Sequence, residues 1–88
     1  MGRLVSSYSP AYPIEAAREG IEGVVKLDVT VGVDGTVRSV HVVGGPAMLS
    51  SAAVSAVRDW RYSETFLAGQ AVESQHYVSM VFRLASAR

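Results

Sequence analysis

The sequence contains no cysteine, which excludes disulfide staples, thiolate metal sites and thiol nucleophiles. Lysine occurs once, at Lys26, and the eight basic residues are matched by eight acidic ones. The arginines are scattered, so no groove for tracking phosphates and no nucleic-acid partner are expected. Charged residues make up only 18% of the chain against 49% apolar ones, which excludes a disordered segment and leaves ample material for one core. At 88 residues the chain is one domain, near the lower limit for folding without staples or metal. The opening Met1-Gly2-Arg3 lacks the apolar run of a signal peptide. Residues 39–57 carry no Asp, Glu, Lys or Arg, but His41, four serines and Gly44-Gly45-Pro46 interrupt them. A strand followed by a helix explains that stretch; a membrane helix does not.

What is present alternates. In residues 22–33, Val25, Leu27, Val29, Val31 and Val33 fall on one face, with Val24, Lys26, Asp28 and Thr30 on the other, the pattern of a half-buried strand. Asp34-Gly35 follows, with the chemistry of a two-residue hairpin turn. A second strand is expected over residues 36–43, Val40 and Val42 pointing inward. The period then changes: Leu49, Ala53, Ala56, Val57 and Trp60 recur at three and four residues, the stripe of an amphipathic helix. Trp60 should anchor that helix to the sheet, with its indole N–H seeking a partner. Before the first strand, residues 14–19 form a short helix, with Pro13 at its first position and Gly20 as its stop. Residues 63–70 read as a loop turning at Gly69-Gln70. Residues 72–84 alternate again, with Val78, Met80, Phe82 and Leu84 on one face and Tyr77, Ser79, Val81 and Arg83 on the other.

The expected fold is therefore α+β and two-layered: a three-stranded antiparallel sheet covered on one face by two helices, in the order α-β-β-α-β. Residues 1–11 are an extended lead-in, 12–84 the domain and 85–88 a frayed tail.

Candidates for chemistry are few. His41 and His76 sit on separate strands without a third ligand at metal spacing, so no metal and no cofactor are expected. Carboxylates occur singly, and none lies in an apolar run that would raise its pKa for acid–base work. Ser50 and Ser51 lie near a helix start, where capping is the natural role, and no GxSxG elbow is present. Nothing points to an enzyme. The unusual feature is the last strand, which carries apolar residues on both faces and neither proline nor charge between Gln75 and Phe82. If the strand over residues 22–33 is central, this one is an edge, and such edges are ordinarily blunted. The edge is satisfied equally by a second copy of the chain or the remainder of a larger sheet, and by an extended peptide captured by strand addition.

Tyr12-Pro13, Ala16, Gly20, Glu22-Gly23-Val24-Val25, Leu27, Val29, Val31, Asp34-Gly35, Val37, Val40 and Val42 resemble the first half of a TonB C-terminal domain. Leu49, Ala52-Ala53, Ala56-Val57 and Trp60-Arg61-Tyr62, then Gly69, Val72, Val78, Phe82 and Leu84, complete the resemblance over residues 12–84. It implies the periplasmic end of an energy transducer anchored in the cytoplasmic membrane by a segment absent from this chain, and driven there by a proton-motive-force complex. It further implies capture of the TonB-box peptide of outer-membrane receptors for iron chelates, cobalamin or sugars. The peptide would add to the edge formed by Tyr77, Val78, Ser79, Met80, Val81 and Phe82, beside Ser9, Pro10, Ala11, Tyr12 and Pro13. A strand-exchanged homodimer, serving as the dimerisation module of another periplasmic or signalling protein, is the alternative. Two positions depart from the family pattern. Glu64 stands where many members have proline, and Ser9 and Ala11 stand where the best-known members have glutamine.

Overall fold

The computed structural model describes residues 3–84; the expected tail over residues 85–88 lies outside the described residues. The elements in order are β1 (Leu4–Ser6), α1 (Ile14–Arg18), β2 (Gly23–Val31), β3 (Val37–Gly44), α2 (Ala47–Arg58), β4 (Arg61–Tyr62), β5 (Thr65–Leu67), β6 (Gln70–Val72) and β7 (Ser74–Phe82). The main sheet has the order β3-β2-β7, antiparallel throughout, so β2 is central. Two small antiparallel pairs, β1 with β4 and β5 with β6, accompany it. This is the expected α+β architecture.

The central strand carries the core. Val25, Leu27, Val29 and Val31 are at most 1% exposed, while Val24 and Lys26, which alternate with them, face solvent. Each such side chain contributes about 1.5–3 kcal/mol by leaving water. Leu49, Ala53 and Val57 of α2, Ala16 of α1, and Met80 and Phe82 of β7 close over them. The charge-free stretch over residues 39–57 is divided between β3 and α2, and among the described residues no helix is long and apolar enough to cross a membrane.

Several details differ from expectation. The β2–β3 turn has three residues, not two: the Gly32 N–H donates to the Thr36 carbonyl at 2.8 Å and the Gly35 N–H to the Gly32 carbonyl at 3.0 Å. Val33 is thus a turn residue, 50% exposed, although it continues the strand's alternation. Asp34 Oδ1 accepts from the Thr36 N–H at 3.1 Å and from its hydroxyl at 2.7 Å, and these bonds hold the Asp34 carboxyl below its ordinary pKa. On β3, Val37 and Val40 pack on the core, but Val42, opposite Leu27, remains 38% exposed. Pro13 is the residue just before the first helical position, and Pro46 plays the same part for α2. Neither Ser50 nor Ser51 caps α2. The Ser50 hydroxyl instead donates back to the Pro46 carbonyl at 3.2 Å, and Ser51 is exposed.

The expected loop over residues 63–70 is largely the β5–β6 hairpin, which turns at Ala68-Gly69 with φ of 53° and 80°. Two successive positive φ values are the signature of the tight turn that suits strand twist. Alanine holds such a φ only at a cost of about 1 kcal/mol. Ala68→Gly is expected to stabilise the domain by roughly 0.5–1 kcal/mol, read as a higher urea midpoint at unchanged slope. An unmoved midpoint would show that the turn is not strained.

Candidate functional site

The antiparallel ladder determines which backbone groups of β7 are free. Gly32 directs both its N–H and its carbonyl toward β3. Along β2 the direction alternates residue by residue, so Val31, Val29, Leu27, Val25 and Gly23 point toward β7. Their partners there are Ser74, His76, Val78, Met80 and Phe82. The N–H and carbonyl groups of Gln75, Tyr77, Ser79 and Val81 therefore point away from the sheet. No strand pairs with that side among the described residues. The side chains alternate with them: Met80 and Phe82 are 7% and 3% exposed and face the helices, whereas Tyr77 and Val81 are 65% and 60% exposed on the open face.

The lead-in lies alongside. It is tied down at three points over residues 3–8, of which the sequence announces only the need of the Trp60 indole for an acceptor. Leu4–Ser6 pairs with β4, the Arg3 carbonyl accepts from the Ser63 N–H at 2.7 Å, and the Tyr8 carbonyl accepts from the Trp60 indole N–H at 3.0 Å. This last bond supplies the partner expected for Trp60, which lies two residues beyond α2. β4 is itself fastened to the β2–β3 turn, its Tyr62 N–H donating to the Gly35 carbonyl at 2.9 Å.

Between lead-in and β7 runs an open groove of about 260 Å³. Ser7, Tyr8, Ser9 and Pro10 form one wall, Ser79, Met80 and Val81 the other, and Trp60 lies between. It unites Ser9 and Pro10 with Ser79, Met80 and Val81 among the expected site residues. Others are placed elsewhere. Ala11 and Pro13 line a depression of about 540 Å³ against α2, together with Ser51, Ala52 and Ser55. The Tyr12 ring packs edge-on against Phe82 with centroids 5.5 Å apart, and its hydroxyl donates to the Ile21 carbonyl. Partial burial, reinforced by the Glu22 carboxylate, raises the Tyr12 pKa. Tyr12 and Phe82 thus lock the end of the lead-in to the end of β7, and Val78 packs on the core. Tyr8 and Trp60 are groove residues that the sequence reading left out of the site.

His41 is exposed on β3. His76 stacks on Tyr62 at 4.3 Å, with Ser74 Oγ 3.0 Å from its Nε2. Burial of Tyr62 raises its phenol pKa. No cluster of three or more metal-ligating side chains occurs among the described residues.

The family model for the Gram-negative bacterial TonB protein C-terminal region matches residues 8–84. The fold is similar to the solution NMR structure of the Pseudomonas aeruginosa TonB CTD, with a TM-score of 0.79 and 26% identity over 99% of this chain and 90% of that one. A comparison with curated proteins finds no match. With the matched region running from the groove's first wall to the end of β7, the chain belongs to the family of TonB C-terminal domains.

Proposed function

We propose that this domain captures the TonB-box peptide of outer-membrane receptors as an additional strand on β7, and transmits force to it from a proton-driven complex in the cytoplasmic membrane for active uptake. Family membership makes it a periplasmic, transport-related and non-catalytic module. The observation that supports peptide capture is the outward row of backbone groups at Gln75, Tyr77, Ser79 and Val81. No proline or charge protects it, and the lead-in flanks it.

A strand of six residues adds about four to six backbone hydrogen bonds, each contributing on the order of 1 kcal/mol net. Against the entropy of ordering a flexible peptide, this gives roughly micromolar affinity. The bonds run perpendicular to the strand. A pull along the peptide therefore loads them together, and the grip lapses when tension stops.

Amide hydrogen exchange tests this reading. In the free domain the even-numbered β7 amides from Ser74 to Phe82 are expected to exchange slowly and the odd-numbered ones fast. With a receptor N-terminal peptide in excess, Tyr77, Ser79 and Val81 should slow at least tenfold. Odd-numbered amides that remain fast while the peptide is bound would place the peptide elsewhere. The same edge also fits a second copy of the chain, and sedimentation over a concentration range, with and without peptide, separates the two occupants.

A further inference from the structure

We infer that the rim offered to an added strand continues from β7 along β6, so that the domain takes a receptor segment of about eleven residues, the box together with its flank; this rests on the strand-addition reading. The turn at Ala68-Gly69, with its two positive φ values, is of the two-residue kind, in which the flanking pair exchanges both backbone bonds. That pair is Leu67 and Gln70, so Gln70 and, two residues on, Val72 direct their N–H and carbonyl groups to β5. Ala71 between them directs its own the other way. Along β7 it is again the even-numbered residues, from Ser74 to Phe82, that turn to β2. β5 and β2 therefore lie on one side of the β6–β7 stretch. On the other side no strand pairs with it among the described residues.

Only Glu73 separates the two strands, and its side chain shows that the chain passes it without changing course. One further step of the β2–β7 register sets Glu73 opposite Gly32. The Arg38 side chain lies over Gly32, its Cγ 3.0 Å from where a Cβ would stand, and its Nη1 donates to Glu73 Oε2 at 2.7 Å. Glu73 thus keeps the face of Gln75, whose Nε2 reaches Thr30 Oγ1 at 3.4 Å across the same surface. β4, just before β5, is fastened to the β2–β3 turn, so β5 starts there and takes the place that β2 leaves at Gly32. The outward row is then Ala71, Glu73, Gln75, Tyr77, Ser79 and Val81, spanning roughly 33 Å. Its one charge is turned across the sheet onto Arg38, which leaves the backbone groups of the rim open. The β5–β6 hairpin is a support for a longer guest, held by main chain alone and indifferent to the guest's side chains and direction.

Acetylated and amidated peptides of six and of twelve threonines are the probes, because a uniform sequence pairs in either direction. Exchange of the β6 and β7 amides is followed by NMR during titration. The twelve-residue peptide is expected to slow Ala71, Glu73, Tyr77, Ser79 and Val81 at least tenfold, with one common midpoint. It should bind about tenfold more tightly than the six-residue peptide, since it makes more backbone bonds. Ala71→Pro removes one outward donor at an edge, where proline is tolerated. It should lower the affinity for the twelve-residue peptide about fivefold or more, while Ser79 and Val81 are still slowed. A twelve-residue peptide that slows the β7 amides but leaves Ala71 and Glu73 fast, or equal affinities for the two lengths, would overturn the extension and leave strand addition standing. No slowing of any outward amide by either peptide would overturn strand addition, and the extension with it.

Discussion

Ser79→Pro weakens peptide binding by roughly five- to 150-fold and leaves the domain folded, whereas Val78→Pro costs the domain about 3 kcal/mol or more of stability: this is the expected result for two neighbouring residues on one strand. The difference lies in the direction of the N–H. That of Val78 points to β2 opposite Leu27, inside the sheet, and its loss together with the proline ring's intrusion costs about 3 kcal/mol or more. The Ser79 N–H points to the unpaired side, where proline is tolerated on edge strands. For the guest, the same ring removes a donor and leaves a desolvated carbonyl unpaired, which costs about 1–3 kcal/mol, or roughly five- to 150-fold in affinity. Val81→Pro should behave like Ser79→Pro. Calorimetric titration measures the binding, and urea unfolding establishes that both edge variants fold. If both bind the peptide as the wild type does, the guest does not lie on β7.

The largest effect on stability is expected at Gly35. It holds φ of 86°, and a Cβ placed there would lie 2.2 Å from the Tyr62 carbonyl oxygen. A side chain must therefore push β4 away. That breaks the bond from the Tyr62 N–H to the Gly35 carbonyl and disturbs a tyrosine that is 7% exposed. Conformational strain of about 1–2 kcal/mol adds to this, giving roughly 3–5 kcal/mol for Gly35→Ala. A domain of this size has about 4–13 kcal/mol of stability, so the variant is marginal or unfolded. Gly69→Ala is the control, because Gly69 has a similar φ of 80° and a Cβ there would meet no atom within 4 Å. It should lose only about 1 kcal/mol by urea denaturation. Equal losses at the two positions would mean that contact with β4 contributes nothing.

The contrast between these glycines also shows which parts of the molecule a sequence reveals. The long strands and α2 were readable because their apolar residues recur at one period over seven or more positions, as from Val25 to Val31 and from Leu49 to Val57. The edge position of β7 followed from the centrality of β2. The three-residue turn was hidden because Val33 keeps the alternation going after Gly32 has ended the ladder. The β5–β6 hairpin was hidden because its strands have three residues each and its turn uses Ala68, which has no turn chemistry. β1 has no buried residue, so no periodicity marks it. The groove depends on Tyr8 meeting Trp60 across 52 positions. The only local sign of that meeting was an indole N–H in need of an acceptor.

The two rims of the main sheet are unlike. The β2–β3 register slips twice, skipping Arg38 and Val43 on the β3 side, whereas β7 runs opposite β2 without a break. Such irregularities twist a rim out of the line that a neighbouring chain needs. Growth of the sheet is thereby confined to one direction, and whatever docks on β7 ends the series. Endless stacking requires a donor and an acceptor rim on every unit, and among the described residues the main sheet offers one regular rim. At high concentration it should yield closed pairs rather than fibres.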